Sequence, residues 1–229
     1  MTAPVTLEKT STLTSAPVAS LLDRLFAEAD AATSPAVSEL PREELQRLAG
    51  SRTDYRKFYG LAKDLWLPVS RETGTLLYML ARANWAKGIV EFGTSFGLST
   101  IHLAAALRDN GGGRLITTEF ESSKIARARH HLEEAGLADL VEFREGDALQ
   151  TLATGLPESI DLVLLDGAKP LYPDILDLLE DRLQTGALIV ADNADHSPAY
   201  LARVRSPAAG YLSVPFAGDV ELSRKAWLN

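Results

Sequence analysis

The stretch Gly88-Ile-Val-Glu-Phe-Gly-Thr-Ser-Phe-Gly-Leu-Ser99 decides the fold. Its first five residues are mostly apolar and predict a buried strand, and Gly93 and Gly97 then permit a tight turn. A helix is expected from about Leu98, and its free N–H groups would face a ligand at the turn. Two glycines alone fit a purely structural turn equally well. Their G-x-x-x-G spacing differs from the G-x-G-x-x-G of dinucleotide folds and disfavours a nicotinamide dehydrogenase.

Short apolar runs of the same kind recur along the chain and alternate with helical patterns, which predicts a parallel sheet covered by helices on both faces. The predicted strands are Gly88–Phe92, Arg114–Thr118, Leu140–Phe143, Ile160–Leu165 and Ala187–Ala191. The helices predicted between them are Leu98–Arg108, Ser123–Ala135, Ala148–Ala153 and Pro173–Leu183. Two final runs, Tyr211–Val214 and Val220–Arg224, have no helix between them and are predicted to pair as an antiparallel hairpin.

The N-terminal quarter has a different pattern. Residues 1–14 are rich in Thr and Ser and lack apolar periodicity, which predicts a mobile arm. Helices are predicted at Val18–Ala31, between Pro41 and Gly50, and from about Arg71 to Ala86. We therefore divide the chain into an arm with a helical appendage, residues 1–66, and a main domain, residues 67–229.

Composition narrows the chemistry. The 229 residues contain no cysteine, which excludes disulfides, Cys-ligated zinc, iron–sulfur clusters and thiol catalysis. A net charge of −8 argues against nucleic-acid or membrane partners, because phosphate binding relies on clustered Lys and Arg. The sequence shows no signal-peptide pattern and no apolar run of about 18 residues. We expect a cytoplasmic protein with small-molecule partners.

Ligands of open parallel sheets bind beyond the carboxyl ends of the strands, and three consecutive predicted strands carry acids there: Glu91, Glu119 and Asp147. Glu119 can accept hydrogen bonds from both ribose hydroxyls of an adenosine, and Asp147 can contact the adenine. The alternative for each is a helix cap, with Glu121 sharing that role beside Glu119. Three acids in a row favour a nucleoside site over three separate caps.

The fourth and fifth predicted strands end in Asp166 and in the pair Asp192 and Asn193. If these ends lie side by side, two carboxylates and an amide oxygen meet, and such hard ligands suit a divalent cation such as Mg²⁺. The alternative is that they cap a turn and begin a loop. Lys169, three residues after Asp166, is a candidate base or a surface lysine. His196 is a second candidate base or a loop residue.

These residues resemble the class I S-adenosylmethionine-dependent methyltransferases, and among them the cation-dependent O-methyltransferases related to catechol O-methyltransferase. The likeness runs from about Leu67 to Leu228. Its most specific segments are Val90-Glu-Phe-Gly-Thr-Ser-Phe-Gly-Leu-Ser99, Leu164-Leu-Asp-Gly-Ala-Lys169 with Tyr172, Val190-Ala-Asp-Asn193, and Val214-Pro-Phe-Ala-Gly-Asp-Val-Glu-Leu-Ser223.

The resemblance implies a Rossmann-like α/β fold whose seven-stranded, mostly parallel sheet ends in an antiparallel strand. It implies S-adenosylmethionine as cofactor and a divalent cation, Mg²⁺, bound by Asp166, Asp192 and Asn193, with Lys169 as the base. Glu91, Gly93, Ser95 and Ser99 would surround the methionine part of the cofactor. The full set of implied cofactor residues is Val69, Glu91, Gly93, Ser95, Gly97, Ser99, Glu119, Asp147, Ala148 and Asp166.

The implied activity is methyl transfer to a hydroxyl of a small aromatic, catechol-like acceptor by a homodimer. The chain departs from the family between Asn193 and the hairpin, where a longer helical segment is usual and where Pro198, Pro207 and Gly210 restrict helix formation. We therefore expect an open acceptor site, or one completed by the N-terminal helices or by a second subunit. The alternatives are a metal-independent methyltransferase with His196 or Lys169 as base, and a catalytically inactive nucleoside-binding subunit.

Overall fold

The computed structural model describes residues 10–216 and 218–226. The predicted arm over residues 1–9, and the ends of the likeness at Leu228 and of the main domain at residue 229, lie outside these described residues. The prediction of a mobile arm is wrong for Thr12–Thr14, which form a 3₁₀ turn. The Thr12 N–H donates to Asp109 Oδ2 at 3.0 Å, so a side chain of the main domain holds this turn in place.

The helices that precede the first strand cover one side of the molecule. They are α1 Val18–Ala31, α2 Pro35–Ser38, α3 Arg42–Ala49, α4 Tyr55–Leu61 and α5 Arg71–Ala83. The bounds of α1 agree with the predicted ones, whereas α2 and α4 were not predicted, and α5 ends three residues early. The apolar face of α1, from Val18 to Phe26, belongs to the same hydrophobic core as the first helix after the sheet begins. The predicted appendage therefore packs directly on the main domain.

The sheet has seven strands in the order β3-β2-β1-β4-β5-β7-β6. They are β1 Gly88–Phe92, β2 Arg114–Glu119, β3 Val141–Glu145, β4 Ile160–Leu165, β5 Leu183–Ala191, β6 Tyr211–Phe216 and β7 Val220–Lys225. Strands β1 to β5 pair in parallel, and β7 lies antiparallel to both β5 and β6. The predicted mostly parallel, Rossmann-like α/β sheet with a C-terminal antiparallel hairpin is confirmed.

Helices lie between the strands. They are α6 Leu98–Asp109, α7 Ser122–Glu134, α8 Ala148–Thr151, α9 Tyr172–Leu179 and α10 Pro198–Val204. Alternate residues of β1 enter two different cores, Ile89 on one face of the sheet and Val90 on the other, so helices do cover both faces. Within the two described ranges, none of the helices is long and apolar enough to cross a membrane.

Several predicted boundaries were wrong. Helix α9 ends at Leu179, because a 3₁₀ turn follows and β5 already starts at Leu183, which pairs with Ile160. Helix α8 ends at Thr151, two residues early, and β3 starts at Val141 because a 3₁₀ turn occupies the three residues before it.

The expectation that prolines restrict helix formation after Asn193 needs one correction, because Pro198 does not oppose the helix that forms there. Pro198 begins α10, since the first helical position needs no N–H and accepts the fixed φ of proline. A short helix therefore replaces the loop that the prolines suggested.

Strand β6 forms one edge of the sheet. Leu212, Val214 and Phe216 share one side of it and are 66%, 53% and 40% exposed. The Ala226 N–H donates to the Gly210 carbonyl at 2.8 Å, which fixes the alternation of hydrogen-bonded pairs along the hairpin. That alternation puts Pro215, opposite Glu221, in a pair whose backbone groups face the open edge.

Candidate active site

The glycine turn after β1 brings the end of this strand against the end of β4. Gly93 has φ +105°, and a Cβ there would lie 2.6 Å from the carbonyl oxygen of Asp166. Gly97 has φ +89° and precedes α6, facing Ala128 of α7. Both glycines are therefore required by backbone conformation and by close packing. The turn leaves the start of α6 open toward the carboxyl ends of the strands.

Glu91 lies beneath this turn and is fully buried. Its carboxylate accepts hydrogen bonds from Ser99 Oγ, Thr100 Oγ1 and Thr117 Oγ1, each at 2.6 Å. Burial raises the pKa of Glu91 to about 7, although the three hydroxyl groups favour the charged form. Glu91 thus holds the first turn of α6 and the side chain of Ser99 instead of reaching a cavity itself.

A narrow pocket of about 70 Å³ lies at the ends of β1, β2 and β4. Among the residues predicted to bind the cofactor, it is lined by Gly93, Ser95, Glu119, Asp147, Ala148 and Asp166. Ser99 lines a small recess beside it, Val69 lines the cleft described below, and Gly97 packs on α7. The structure therefore gathers most of the predicted set around one cavity.

Glu119 connects the two loops at the top of the narrow pocket. Its carboxylate accepts hydrogen bonds from the backbone N–H groups of Ser95 at 3.0 Å, Phe120 at 2.9 Å and Glu121 at 3.1 Å. Burial raises the pKa of Glu119 despite these bonds. Glu121 precedes α7 and makes no side-chain cap bond, so the cap alternative does not describe this pair.

Asp147 does cap a helix. Its Oδ1 accepts from the Leu149 N–H at 3.1 Å at the start of α8, and its Oδ2 pairs with Arg56 of α4. Asp147 also lines the narrow pocket, so one side chain caps α8 and forms part of the cavity wall.

A wide cleft of about 1070 Å³ opens between the N-terminal helices and the ends of β4 and β5. Its floor holds the predicted metal and base residues Asp166, Lys169, Asp192 and Asn193, together with Asp219, and His196 also lines the cleft. Its other wall comes from α1, α3 and α4 through Phe26, Asp30, Gln46, Phe58 and Tyr59. The expectation that the N-terminal helices complete this site agrees with the structure. Asp166, Tyr59 and Leu67 line both the narrow pocket and the wide cleft.

Charged side chains lie close together at the floor of the wide cleft. Lys169 Nζ lies 2.9 Å from Asp166 Oδ1, with the two side chains 17% and 11% exposed. Burial raises the pKa of Asp166 against the opposing effect of Lys169. Burial and the charge of Asp166 raise the pKa of Asp192 to about 7. Burial lowers the pKa of Lys169, but the charge of Asp166 outweighs it, and this pKa lies well above its ordinary value.

The donor chemistry of this floor fits a divalent cation. Asp192 stands next to Asp166 without a cationic partner of its own, and Asn193 adds an amide group that contacts Asp219 at 3.2 Å. In the part of the chain that the structure describes, no three acidic or histidine side chains are grouped as a metal site. The predicted set consists of two carboxylates and one amide oxygen, which are ligands that Mg²⁺ accepts while it keeps water or substrate.

The two candidate bases differ in their surroundings. Lys169 is buried beside Asp166, whereas the His196 side chain is 73% exposed and lies 3.8 Å from Asp195 Oδ2. His196 therefore stands on the rim of the wide cleft, as the loop alternative expected.

Sequence reasoning missed several residues that line the narrow pocket. Tyr55 and Tyr59 come from α4, and the Tyr59 hydroxyl donates to the Gly167 carbonyl at 3.3 Å. Phe120 and Lys124 follow β2 and also line this pocket. The i, i+4 spacing of the two tyrosines was the available signal, because it puts both rings on one face of a helix.

Residues 90–194 match a family model described as a methyltransferase domain. This stretch of the chain is similar to methyltransferase domains. It contains the glycine turn, the narrow pocket acids and the ends of β4 and β5, so the recognition made from the sequence is confirmed. The family match does not extend to the N-terminal helices that wall the wide cleft.

Curated relatives of the chain are named as O-methyltransferases. The chain is 38% identical over 130 residues to a catechol O-methyltransferase of Niastella koreensis, covering 56% of this chain and 58% of that one. It is 29% identical over 157 residues to caffeoyl-CoA O-methyltransferase 1 of Eucalyptus globulus, covering 66% and 63%. The chain thus spans about three fifths of the length of the curated relatives it matches.

Among solved structures, the methyltransferase domain is similar to the O-methyltransferase TomG from Streptomyces achromogenes, which is involved in tomaymycin synthesis and was solved in complex with S-adenosylmethionine. The identity is 29%, the TM-score is 0.62, and the similarity covers 87% of this chain and 99% of TomG.

Proposed function

We propose that the protein is an S-adenosylmethionine-dependent O-methyltransferase that methylates a hydroxyl of a small aromatic acceptor with the help of a divalent cation. The observation that carries the proposal is the shared wall at Asp166, which joins the pocket lined by Glu119 and Asp147 to a cleft with acidic and basic side chains. The named activities of the relatives and the cofactor bound to TomG support the proposal.

The narrow pocket is the proposed site of the cofactor. Glu119 would accept hydrogen bonds from the ribose hydroxyls, while Asp147 and Ala148 would border the adenine. Gly93, Ser95, Ser99 and Val69 would surround the methionine part, and Glu91 would act indirectly by holding Ser99. Methyl transfer is then an in-line displacement, in which the acceptor oxygen bonds to the methyl carbon as its bond to sulfur breaks and S-adenosylhomocysteine leaves.

The floor of the wide cleft is the proposed site of the cation and the base. Asp166, Asp192 and Asn193 would hold the ion, which when bound lowers the pKa of a nearby phenol and orients two adjacent hydroxyls. Lys169 is paired with Asp166 as an ammonium, and it would serve as the base when a bound cation engages Asp166 and lowers the pKa of this lysine, so that a neutral amine accepts the proton of the acceptor hydroxyl. The proton balance then closes with a neutral ether product and a protonated lysine.

The walls of the wide cleft support an aromatic acceptor. Phe26, Phe58 and Tyr59 present ring surfaces above the floor, and rings of this kind pack on a flat acceptor in offset or edge arrangements. The cleft volume of about 1070 Å³ leaves room for substituents on the acceptor ring.

The test is a methylation assay with S-adenosylmethionine, Mg²⁺ and a panel of catechols, run with and without EDTA. Methylated product that disappears with EDTA and returns with Mg²⁺ is expected. Absence of product from every acceptor, together with absence of a cofactor-induced rise in Tm, would contradict the transferase proposal. Equal product in EDTA would contradict only the cation and would favour the metal-independent alternative. The predicted homodimer is tested by measuring the molar mass of the protein by light scattering after size-exclusion chromatography.

A further inference from the structure

Lys124 is a buried lysine at the start of α7, and it is only 2% exposed. Its Nζ lies 5.3 Å from the centre of the Phe96 ring. Among the residues that the structure describes, no side chain or carbonyl forms a hydrogen bond or ion pair with this ammonium. Glu119 and Glu121 act on it only through their charge. Burial of a cation without a direct partner costs free energy in the ligand-free protein.

Lys124 lines the narrow pocket, together with Glu119 and Ser95. Burial lowers the pKa of Lys124 against the opposing charges of Glu119 and Glu121, as expected for an ammonium that has lost its water. A second polar group of the same wall is also unsatisfied, because Ser95 Oγ is buried and has no hydrogen-bond partner among the described residues. Two residues with an unpartnered polar group therefore line the same pocket as one acceptor, Glu119.

This arrangement selects a ligand group by its hydrogen-bonding chemistry. The remaining lone pairs of the Glu119 carboxylate can accept hydrogen bonds, whereas the Lys124 ammonium can only donate them. A ligand that serves both must donate and accept at neighbouring atoms, which a vicinal diol does and a carboxylate does not. A ribose in the narrow pocket carries such a diol.

We propose that Lys124 binds the cofactor by donating hydrogen bonds to the ribose oxygens, while Glu119 accepts from the same hydroxyl groups. The inference rests on the proposed function, because it takes the narrow pocket as the nucleoside site. Lys124 then fixes the ribose from a second side, and its ammonium gains hydrogen-bond acceptors when the cofactor is bound.

The first experiment measures the Kd of S-adenosylhomocysteine by isothermal titration calorimetry. Lys124→Met keeps the length of the side chain and removes the donors, so its Kd is expected to rise by about tenfold or more. Lys124→Arg keeps the charge and the donors and is expected to stay within about threefold of the parent. Lys63→Met is the matched control, because Lys63 is exposed and lines neither cavity, and its Kd is expected to be unchanged.

The second experiment locates the contact. The same titrations are made with the 2′,3′-dideoxyribose analogue of S-adenosylhomocysteine, for which parent and Lys124→Met are expected to have equal Kd values. An equal loss with both ligands would place the contact elsewhere on the cofactor and overturn the proposal, as would a Lys124→Met protein that binds S-adenosylhomocysteine as tightly as the parent. A purely structural role would lower the Tm of the ligand-free variant and weaken both ligands alike.

The outcomes also separate this inference from the proposed function. A parent protein that binds neither ligand would refute both. A parent that binds S-adenosylhomocysteine while Lys124→Met binds it equally well would refute the role of Lys124 alone. If Lys124→Met does not fold, Lys124→Gln is taken through the same two titrations, with a smaller loss expected because the amide still donates.

Discussion

Asp166 Oδ1 accepts a hydrogen bond of 2.9 Å from Lys169 Nζ at the junction of the narrow pocket and the wide cleft. If Lys169 is the base, Lys169→Met lowers kcat by about 100-fold or more, while the Kd of S-adenosylhomocysteine stays near that of the parent. His196→Asn is expected to change kcat by less than about threefold, because its side chain is 73% exposed. Steady-state kinetics of the two variants distinguish the two candidate bases. A larger loss of kcat in His196→Asn than in Lys169→Met would make His196 the base.

The adjacent carboxylates on the cleft floor predict a cation requirement. Asp192→Asn removes one of the two negative charges, so it should raise the Mg²⁺ concentration needed for half-maximal activity by about tenfold or more. Asp195→Asn is the control, since this neighbouring acid is 63% exposed and lies outside the lining of the wide cleft. Magnesium titrations of EDTA-treated protein measure both, and identical curves for the two variants would argue against a cation at Asp192.

Burial of Glu91 makes stability depend on pH. Its pKa is about 7 in the folded protein against an ordinary value of 4.5, so the folded state binds the proton more tightly than the unfolded chain. The stabilisation is fully present below pH 4.5 and is lost as the pH rises through 7.

Denaturant unfolding of the parent and of Glu91→Gln, at pH 5, 6, 7 and 8, measures this effect. Relative to Glu91→Gln, the free energy of unfolding of the parent is expected to fall by about 2.5 kcal/mol over this range. Parallel curves for the two proteins would mean that Glu91 is ionised throughout.

The close contact at Gly93 predicts a steric effect that is separable from its backbone angle. Gly93→Ala puts a Cβ 2.6 Å from the Asp166 carbonyl at φ +105°, while Gly112→Ala meets no atom within 4 Å at φ +98°. Both substitutions pay the conformational strain of about 1–3 kcal/mol, and only Gly93→Ala adds the collision. Unfolding free energies and the Kd of S-adenosylhomocysteine are measured for both. Equal losses of stability would show that the turn moves away from β4 freely.

Tyr59 of α4 predicts that the N-terminal helices contribute to substrate binding. Tyr59→Ala removes a ring that lines both cavities, so it should raise KM for the cofactor and for the acceptor by about fivefold or more. Tyr59→Phe keeps the ring and loses only the 3.3 Å bond to Gly167, so it should stay within about twofold. An alanine variant with parent-like KM values would show that the ring is not used.

The sequence predicted the sheet well because its strands are buried on both faces and therefore mostly apolar, as in β1 and β4, whose bounds agree with the structure. The parallel sheet also explains why Asp166 and Asp192 could be placed together, since the ends of paired strands share one edge. The terminal hairpin was predictable because no helix lies between its two strands.

Other features depend on tertiary contacts that no local pattern reports. Glu91 looked like a ligand acid at a strand end, but Thr100 and Thr117 take up its carboxylate from two other elements. Tyr59 and Lys124 belong to helices whose orientation over the narrow pocket is set by packing. Pro198 was misjudged because proline ends a helix in its interior and begins one at its first position.

The proline on the outermost strand has a consequence for self-association. A strand that docked beside β6 would meet the N–H groups of Tyr211 and Ser213 but none at Pro215, so the added ladder would be interrupted near the C-terminal end of β6. The exposed row of Leu212, Val214 and Phe216 is therefore shielded from growing into a continuous intermolecular sheet. Proline on this edge strand therefore opposes intermolecular strand pairing, although the strand exposes apolar side chains.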